Sequence, residues 1–123
     1  MQDVIPVKND RQFLTKLCEV TPFTCTEIVE KDRNTEVTLY RHVIYYILRR
    51  DMGWKLKRIC ELMQRDHSTI LRGVDKIEGE MPVYQNTKEV YWILKIRSSQ
   101  IYISLAPDPD TLRDMLYALT MIV

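Results

Sequence analysis

An all-α domain is the fold class that this sequence predicts, on three observations. Apolar residues recur every three or four positions along almost the whole chain, the spacing that lines one face of a helix. Only 3 glycines and 5 prolines occur, too few for a turn-dense β-barrel, a collagen-like repeat or a low-complexity linker. With 123 residues, 46% of them hydrophobic, the chain can bury one sizeable core, and this length argues against a large multidomain enzyme. We expect one compact helical domain over residues 1–123.

Each element has its own signal. Phe13, Leu14, Leu17 and Val20 mark a first helix opened near Asn9 or Asp10, with Pro22 punctuating its end. Thr24 and Glu27 have capping-box spacing, in which each side chain takes the other's backbone N–H, and open a short second helix through Ile28 and Val29. Val37, Tyr40, Val43, Ile44, Ile47 and Leu48 line a longer third helix, which Gly53 is placed to end because glycine enters the left-handed cap conformation freely. Leu56, Ile59, Cys60 and Met63 give a fourth helix, and Ile70, Leu71, Val74, Ile77 and Met81 a fifth. Asp66 suits the N-cap of that fifth helix, since its oxygen can take a first-turn N–H and its charge meets the positive end of the dipole.

The connection from Gln64 to Asp66 has the length of a helix-turn-helix corner. Gly73, inside the fifth helix, costs about 1 kcal/mol relative to alanine, which predicts a close helix crossing there. Beyond Pro82, Asn86 and Glu89 suggest another capped helix through Val90, Ile93 and Leu94, while Ile101–Leu105 reads either as its extension or as a short strand. A last helix is expected from the Asp108 cap and Pro109 through the stripe Leu112, Met115, Leu116, Leu119 and Ile122.

The formal charge of +1 hides an uneven distribution. Residues 41–76 hold nine basic side chains against four acidic ones, whereas the stretches on either side are each slightly acidic. A basic centre is the electrostatic prerequisite for nucleic acid, although by itself it is more often a solvated surface. Cys18, Cys25 and Cys60 form an odd set with no C-x-x-C pair and no zinc spacing with His42 or His67, so we read them as reduced core thiols and expect no metal and no cofactor. The opening Met-Gln-Asp-Val lacks a basic leader, and no apolar stretch approaches the roughly 20 residues of a bilayer span. A cytoplasmic protein with no membrane partner is expected.

The run Arg65-Asp66-His67-Ser68-Thr69-Ile70-Leu71-Arg72-Gly73-Val74-Asp75-Lys76-Ile77-Glu78 resembles the signature of the C-terminal DNA-binding domain of DnaA, the bacterial chromosomal replication initiator. In that family an Arg-Asp-His-(Ser/Thr)-Thr run opens the recognition helix, followed by an apolar pair, a small residue and a Lys-Ile-Glu end. Leu56 and Ile59 look like the apolar positions of the scaffold helix, and Arg41 matches an arginine near the start of the helix before it. The likeness covers residues 24–80 and implies an initiator-type helix-turn-helix core at 24–81, with an extra, mainly helical element at 82–123. Two departures stand out: Asp32 and Glu36 flank Arg33 in a loop that is richer in arginine in the family, and Gln64 replaces a pair of glycines with one residue fewer in the turn.

The chemistry follows from the placement. A helix N-terminus in the major groove offers its first-turn side chains to base edges, so Asp66, His67, Ser68 and Thr69 are the expected base contacts. By resemblance Arg33 joins them through the minor groove. Arg41, Lys55, Lys57, Arg65, Arg72 and Lys76 are the expected phosphate contacts, which set register without reading sequence. Singly, His67 is an ordinary surface histidine and Ser68 and Thr69 are ordinary first-turn residues; the whole run outweighs those readings. Arg49 and Arg50 read as dipole partners and solvated charges, and Tyr40, Tyr45, Tyr46, Tyr91 and Trp92 as core or interface rather than a base-stacking platform.

No Gly-x-x-x-x-Gly-Lys-(Ser/Thr) run exists, the glycines being Gly53, Gly73 and Gly79, and no catalytic spacing is visible. The expected function is sequence-specific binding of double-stranded DNA, without nucleotide or catalysis, in replication control or transcription regulation on the nucleoid or on a phage or mobile element. The alternative is a protein–protein adaptor built on the same scaffold. A homo-oligomer through the Leu112–Val123 stripe is expected from its uncovered apolar face.

Overall fold

Every helix needs partners for the N–H groups of its first turn, and much of this chain's architecture follows from where such partners stand. The structure, a computed structural model, describes residues 10–30 and 34–105. Among them are α1 (Asp10–Cys18), α2 (Cys25–Val29), α3 (Thr35–Tyr46), α4 (Leu56–Met63), α5 (His67–Glu80) and α6 (Gln85–Leu105), and no strand. Arg33 and the helix expected from Asp108 onward lie outside the described residues.

The capping box forms as its spacing predicts: Glu27 N donates to Thr24 Oγ1 at 3.1 Å, and Thr24 N to Glu27 Oε1 at 2.9 Å. Asn34, which carried no expectation, caps α3 by accepting from Glu36 N and Val37 N at 2.9 and 3.3 Å. α1 stops before Val20 because Thr21 diverts the chain, its N–H and hydroxyl both donating to Cys18 O at 3.0 and 2.7 Å. α3 runs into a π-helical turn at Ile47–Asp51, then breaks at Gly53, whose φ of 68° lies in the left-handed region.

α3 is the central post: α2, α5 and α6 pack on it, α1 bridges α2 and α6, and α4 lies against α5. Ile101 and Tyr102 continue α6 as a helix instead of starting a strand. Leu94, Ser98, Ile101 and Tyr102 recur at helical spacing and are all buried, so the core rewards the 3.6-residue period. α6 begins at Gln85, which places Asn86 inside its first turn and not at the cap.

Two polar clusters anchor the ends of the core. Trp54 Nε1 donates to the Tyr102 hydroxyl at 3.1 Å, with Phe13 packed against both rings at centroid distances of 5.9 and 5.1 Å. Arg58 lies 3.6 Å over the Trp54 ring and pairs with Asp10 at 2.8 Å. On the other side, the Lys95 ammonium reaches Asp51 at 3.0 Å, and the Tyr91 hydroxyl donates to the same carboxylate at 2.7 Å, all in the interior between α6 and the π turn. Burial and this carboxylate push the Tyr91 hydroxyl pKa up. Cys18, Cys25 and Cys60 are free thiols, and burial beside Cys25 pushes Cys18 up to about 12.

Candidate nucleic-acid interface

The corner between α4 and α5 is built by three consecutive residues. Gln64 ends α4 in the left-handed conformation, φ 55° and ψ 48°, and its N–H donates to Cys60 O. A non-glycine residue there costs about 1–2 kcal/mol, so the corner closes with one glutamine where the family uses glycines, at that expense. Arg65 N then donates to the same carbonyl at 3.2 Å. Asp66, in extended conformation, caps α5 by accepting from Thr69 N at 2.8 Å and from the Ser68 hydroxyl at 3.1 Å. Those hydrogen bonds, led by Thr69, hold the Asp66 carboxyl below its usual range, with the positive charge of Arg72 assisting.

α5 has two faces. Ile70, Gly73, Val74 and Ile77 are buried, and a methyl group on Gly73 would stand 2.7 Å from Tyr45 Cδ2 and 2.9 Å from His42 Cδ2, so the missing side chain lets α3 cross directly over this point. His67, Ser68, Leu71, Arg72, Asp75 and Lys76 are exposed. At the crossing the His42 imidazole is pushed down to about 4, first by burial and then by the charges of Lys76 and Arg41.

The structure brings four of the expected base-contact residues together at the amino end of α5: Asp66, His67 and Ser68 are exposed, and Thr69 is half-buried. Lys55 and Lys57 are exposed at the opening of α4, and Arg72 and Lys76 on the outer face of α5. Arg65 is half-buried, its Nη1 donating to Gln64 O at 3.1 Å and its charge felt by the Tyr45 hydroxyl.

Arg41 requires a correction. It is 6% exposed, and its guanidinium donates to Ile28 O and Glu30 O, both at 2.6 Å. It satisfies carbonyls left open at the end of α2, so it braces α2 against α3 and is turned away from solvent, where a phosphate would have to be met. Other central cations are also engaged within the chain: Arg49 on Trp54 O and Arg58 on Asp10 and Trp54, while Arg50 pairs with Glu78 on the surface. Lys55, Lys57, Arg72 and Lys76, at the opening of α4 and on α5, are the exposed cations nearest the corner. Sequence reading missed this sorting because the partners lie on other elements; only the Arg50 and Arg49 position near a helix end carried a signal.

Among the described residues no three His, Cys, Asp or Glu side chains converge on a metal-sized site, and no helix is long and apolar enough to cross a membrane.

The family model described as "Bacterial dnaA protein helix-turn-helix" matches residues 12–77, a little over half of the chain, and so reaches back into α1. Several chromosomal replication initiator proteins DnaA are similar to this chain. That of Pseudothermotoga lettingae is 29% identical over 69 residues, covering 56% of this chain and 16% of the relative. That of Thermomicrobium roseum is 36% identical over 69 residues, covering 55% and 15%, and that of Acholeplasma laidlawii 33% over 63 residues, covering 50% and 14%. The chain thus spans only about one-seventh of the length of these relatives. No solved structure matches it significantly. A family match over that span, on a corner capped in this way, is decisive: the chain belongs to the bacterial DnaA helix-turn-helix family and carries a DNA-binding domain of that type.

Proposed function

We propose that this chain binds a short duplex site sequence-specifically, with the amino end of α5 in the major groove. Asp66, His67, Ser68 and Thr69 meet base edges, Arg33 enters the minor groove, and Lys55, Lys57, Arg65, Arg72 and Lys76 face the backbone phosphates. One observation carries the reading: the first-turn side chains of α5 project from a tight corner around which Lys55, Lys57, Arg72 and Lys76 are exposed on both helices, interspersed with the exposed acids Glu61 and Asp75. The relatives are chromosomal replication initiators, which supports a role in replication control at the nucleoid, with transcription regulation as the other use of the same contact. With no phosphate-cradling glycine run in the sequence, we assign the chain duplex binding and neither nucleotide hydrolysis nor other catalysis.

The test is binding to duplex DNA over a fourfold range of salt. Five phosphate contacts give a slope near −4.5, or roughly a 500-fold loss of affinity. His67→Ala should cost about 1–3 kcal/mol on the preferred site and relax its selectivity, whereas Lys57→Ala should weaken all duplexes alike and flatten the slope by about one unit. Salt-independent association with no selectivity would overturn the proposal. A second reading, an adaptor or self-associating protein, draws on the apolar outer face of α6, where Trp92, Ile93 and Ile96 are 42, 46 and 55% exposed. It predicts salt-indifferent, concentration-dependent assembly.

A further inference from the structure

The outer face of α5 distinguishes Arg72 from the other cations of the corner. Successive helix residues turn by about 100°, so the buried set Ile70, Gly73, Val74 and Ile77 fixes the inward direction, and the side chains pointing most nearly opposite are those of Ser68, Arg72 and Asp75, with Gly79 adding none. Lys76 lies toward one edge of this face, where His42 feels its charge and where it lines the groove between α3 and α5. Phosphates line the rims of the major groove and base edges its floor. Beyond the first turn, whose side chains reach the floor from the inserted tip of the helix, a side chain on the edge of the helix therefore meets a rim, and one on the midline faces the floor.

Arg72 is exposed and has no ion pair or hydrogen bond among the described residues. Side chains of a helix lean toward its amino end, and the charge of Arg72 does act on Asp66, six residues back at the tip. Arg72 therefore shares the outer face with Ser68, about one turn back, and its charge acts on the tip of α5.

We propose that Arg72 is a specificity-determining residue whose guanidinium reads one guanine through O6 and N7, adjoining the bases met by the first turn of α5. This rests on the DNA-binding reading above but moves Arg72 from the phosphate contacts to the base contacts, which leaves four phosphate contacts and a salt slope nearer about −3.6. A forked donor pair matches the two acceptors of guanine in the major groove, a geometry that lysine, a point charge, cannot reproduce.

The experiment is selection from a random duplex pool by the full chain, its Arg72→Ala and Arg72→Lys variants and, as the phosphate control, Lys57→Ala. Wild type should enrich one guanine that both Arg72 variants lose, while the positions sensitive to His67→Ala stay enriched. Replacing that guanine by 7-deazaguanine removes the N7 acceptor and should weaken wild type by about 5- to 150-fold, the range set by a bidentate pair, while leaving Arg72→Ala unaffected. The proposal is overturned if Arg72→Lys keeps the full sequence preference, or if Arg72→Ala weakens every duplex alike as Lys57→Ala does. No enrichment by wild type would instead overturn the DNA-binding reading, and this proposal with it.

Discussion

Replacing Gly73 by alanine sets two opposite effects against each other at the crossing of α3 and α5. Alanine is favoured over glycine inside a helix by about 1 kcal/mol, which alone would stabilise the chain. The new methyl group, however, would stand 2.7 Å from Tyr45 Cδ2 and 2.9 Å from His42 Cδ2, both closer than carbon atoms tolerate. The Tyr45 ring is 1% exposed and hemmed in, so the helices must part; overpacking of this kind costs about 1–3 kcal/mol, occasionally more. Two contacts under 3.0 Å put the steric cost in the upper part of that range, about 2–3 kcal/mol, so sterics win and a net loss of about 1–2 kcal/mol is expected. Gly79 supplies the control on the same helix: it is exposed, and a methyl group there meets nothing within 4 Å, so Gly79→Ala should gain up to about 1 kcal/mol. Urea unfolding of the two variants beside wild type, with m-values compared, reads the difference. Gly73→Ala as stable as wild type with an unchanged m-value would refute the claim that α3 crosses α5 without clearance.

Arg41→Ala should cost about 2–3 kcal/mol of unfolding free energy, because it strands the buried Ile28 carbonyl and the part-buried Glu30 carbonyl, yet leave the salt slope of DNA binding unchanged in the folded fraction. A flattened slope would return Arg41 to the phosphate contacts. Lowering the pH should destabilise the chain between about 6.5 and about 4. The unfolded His42 takes its proton near 6.5 while the folded ring resists until about 4, so stability is complete above that window and falls through it. At pH 5 this amounts to about 1 kcal/mol once solvent screening of the partly exposed ring is allowed for, and His42→Gln should remove that part of the pH dependence in urea titrations. Asp51→Ala strands the Lys95 ammonium and the Tyr91 hydroxyl and should cost about 3–5 kcal/mol, whereas Asp51→Leu with Lys95→Met should recover most of it in thermal melts. Equal losses in the single and double variants would show that Lys95 is not held by Asp51.

What the amino-acid sequence determined by itself is whatever depends on near neighbours in the chain. The Thr24–Glu27 box and the Asp66 cap are legible because donor and acceptor stand three residues apart, and the Gly53 stop because left-handed backbone is a property of one residue. The ordered run from Arg65 to Glu78 likewise announced the recognition helix, since a helix N-terminus displays consecutive residues. Tertiary structure decided what the charges and the ambiguous apolar stretch are for. Arg41 and Arg72 have the same composition and both sit on helices, yet one meets the open end of α2, eleven to thirteen residues away, and the other meets solvent. Lys95 is invisible as an interior residue until Asp51 arrives from the π turn, and Ile101–Tyr102 stay helical because Phe13 and Trp54 receive the Tyr102 ring. The physical reason is the same in each case: a cap is a bond to the local backbone, while a buried charge or ring takes its role from whichever distant element desolvates it.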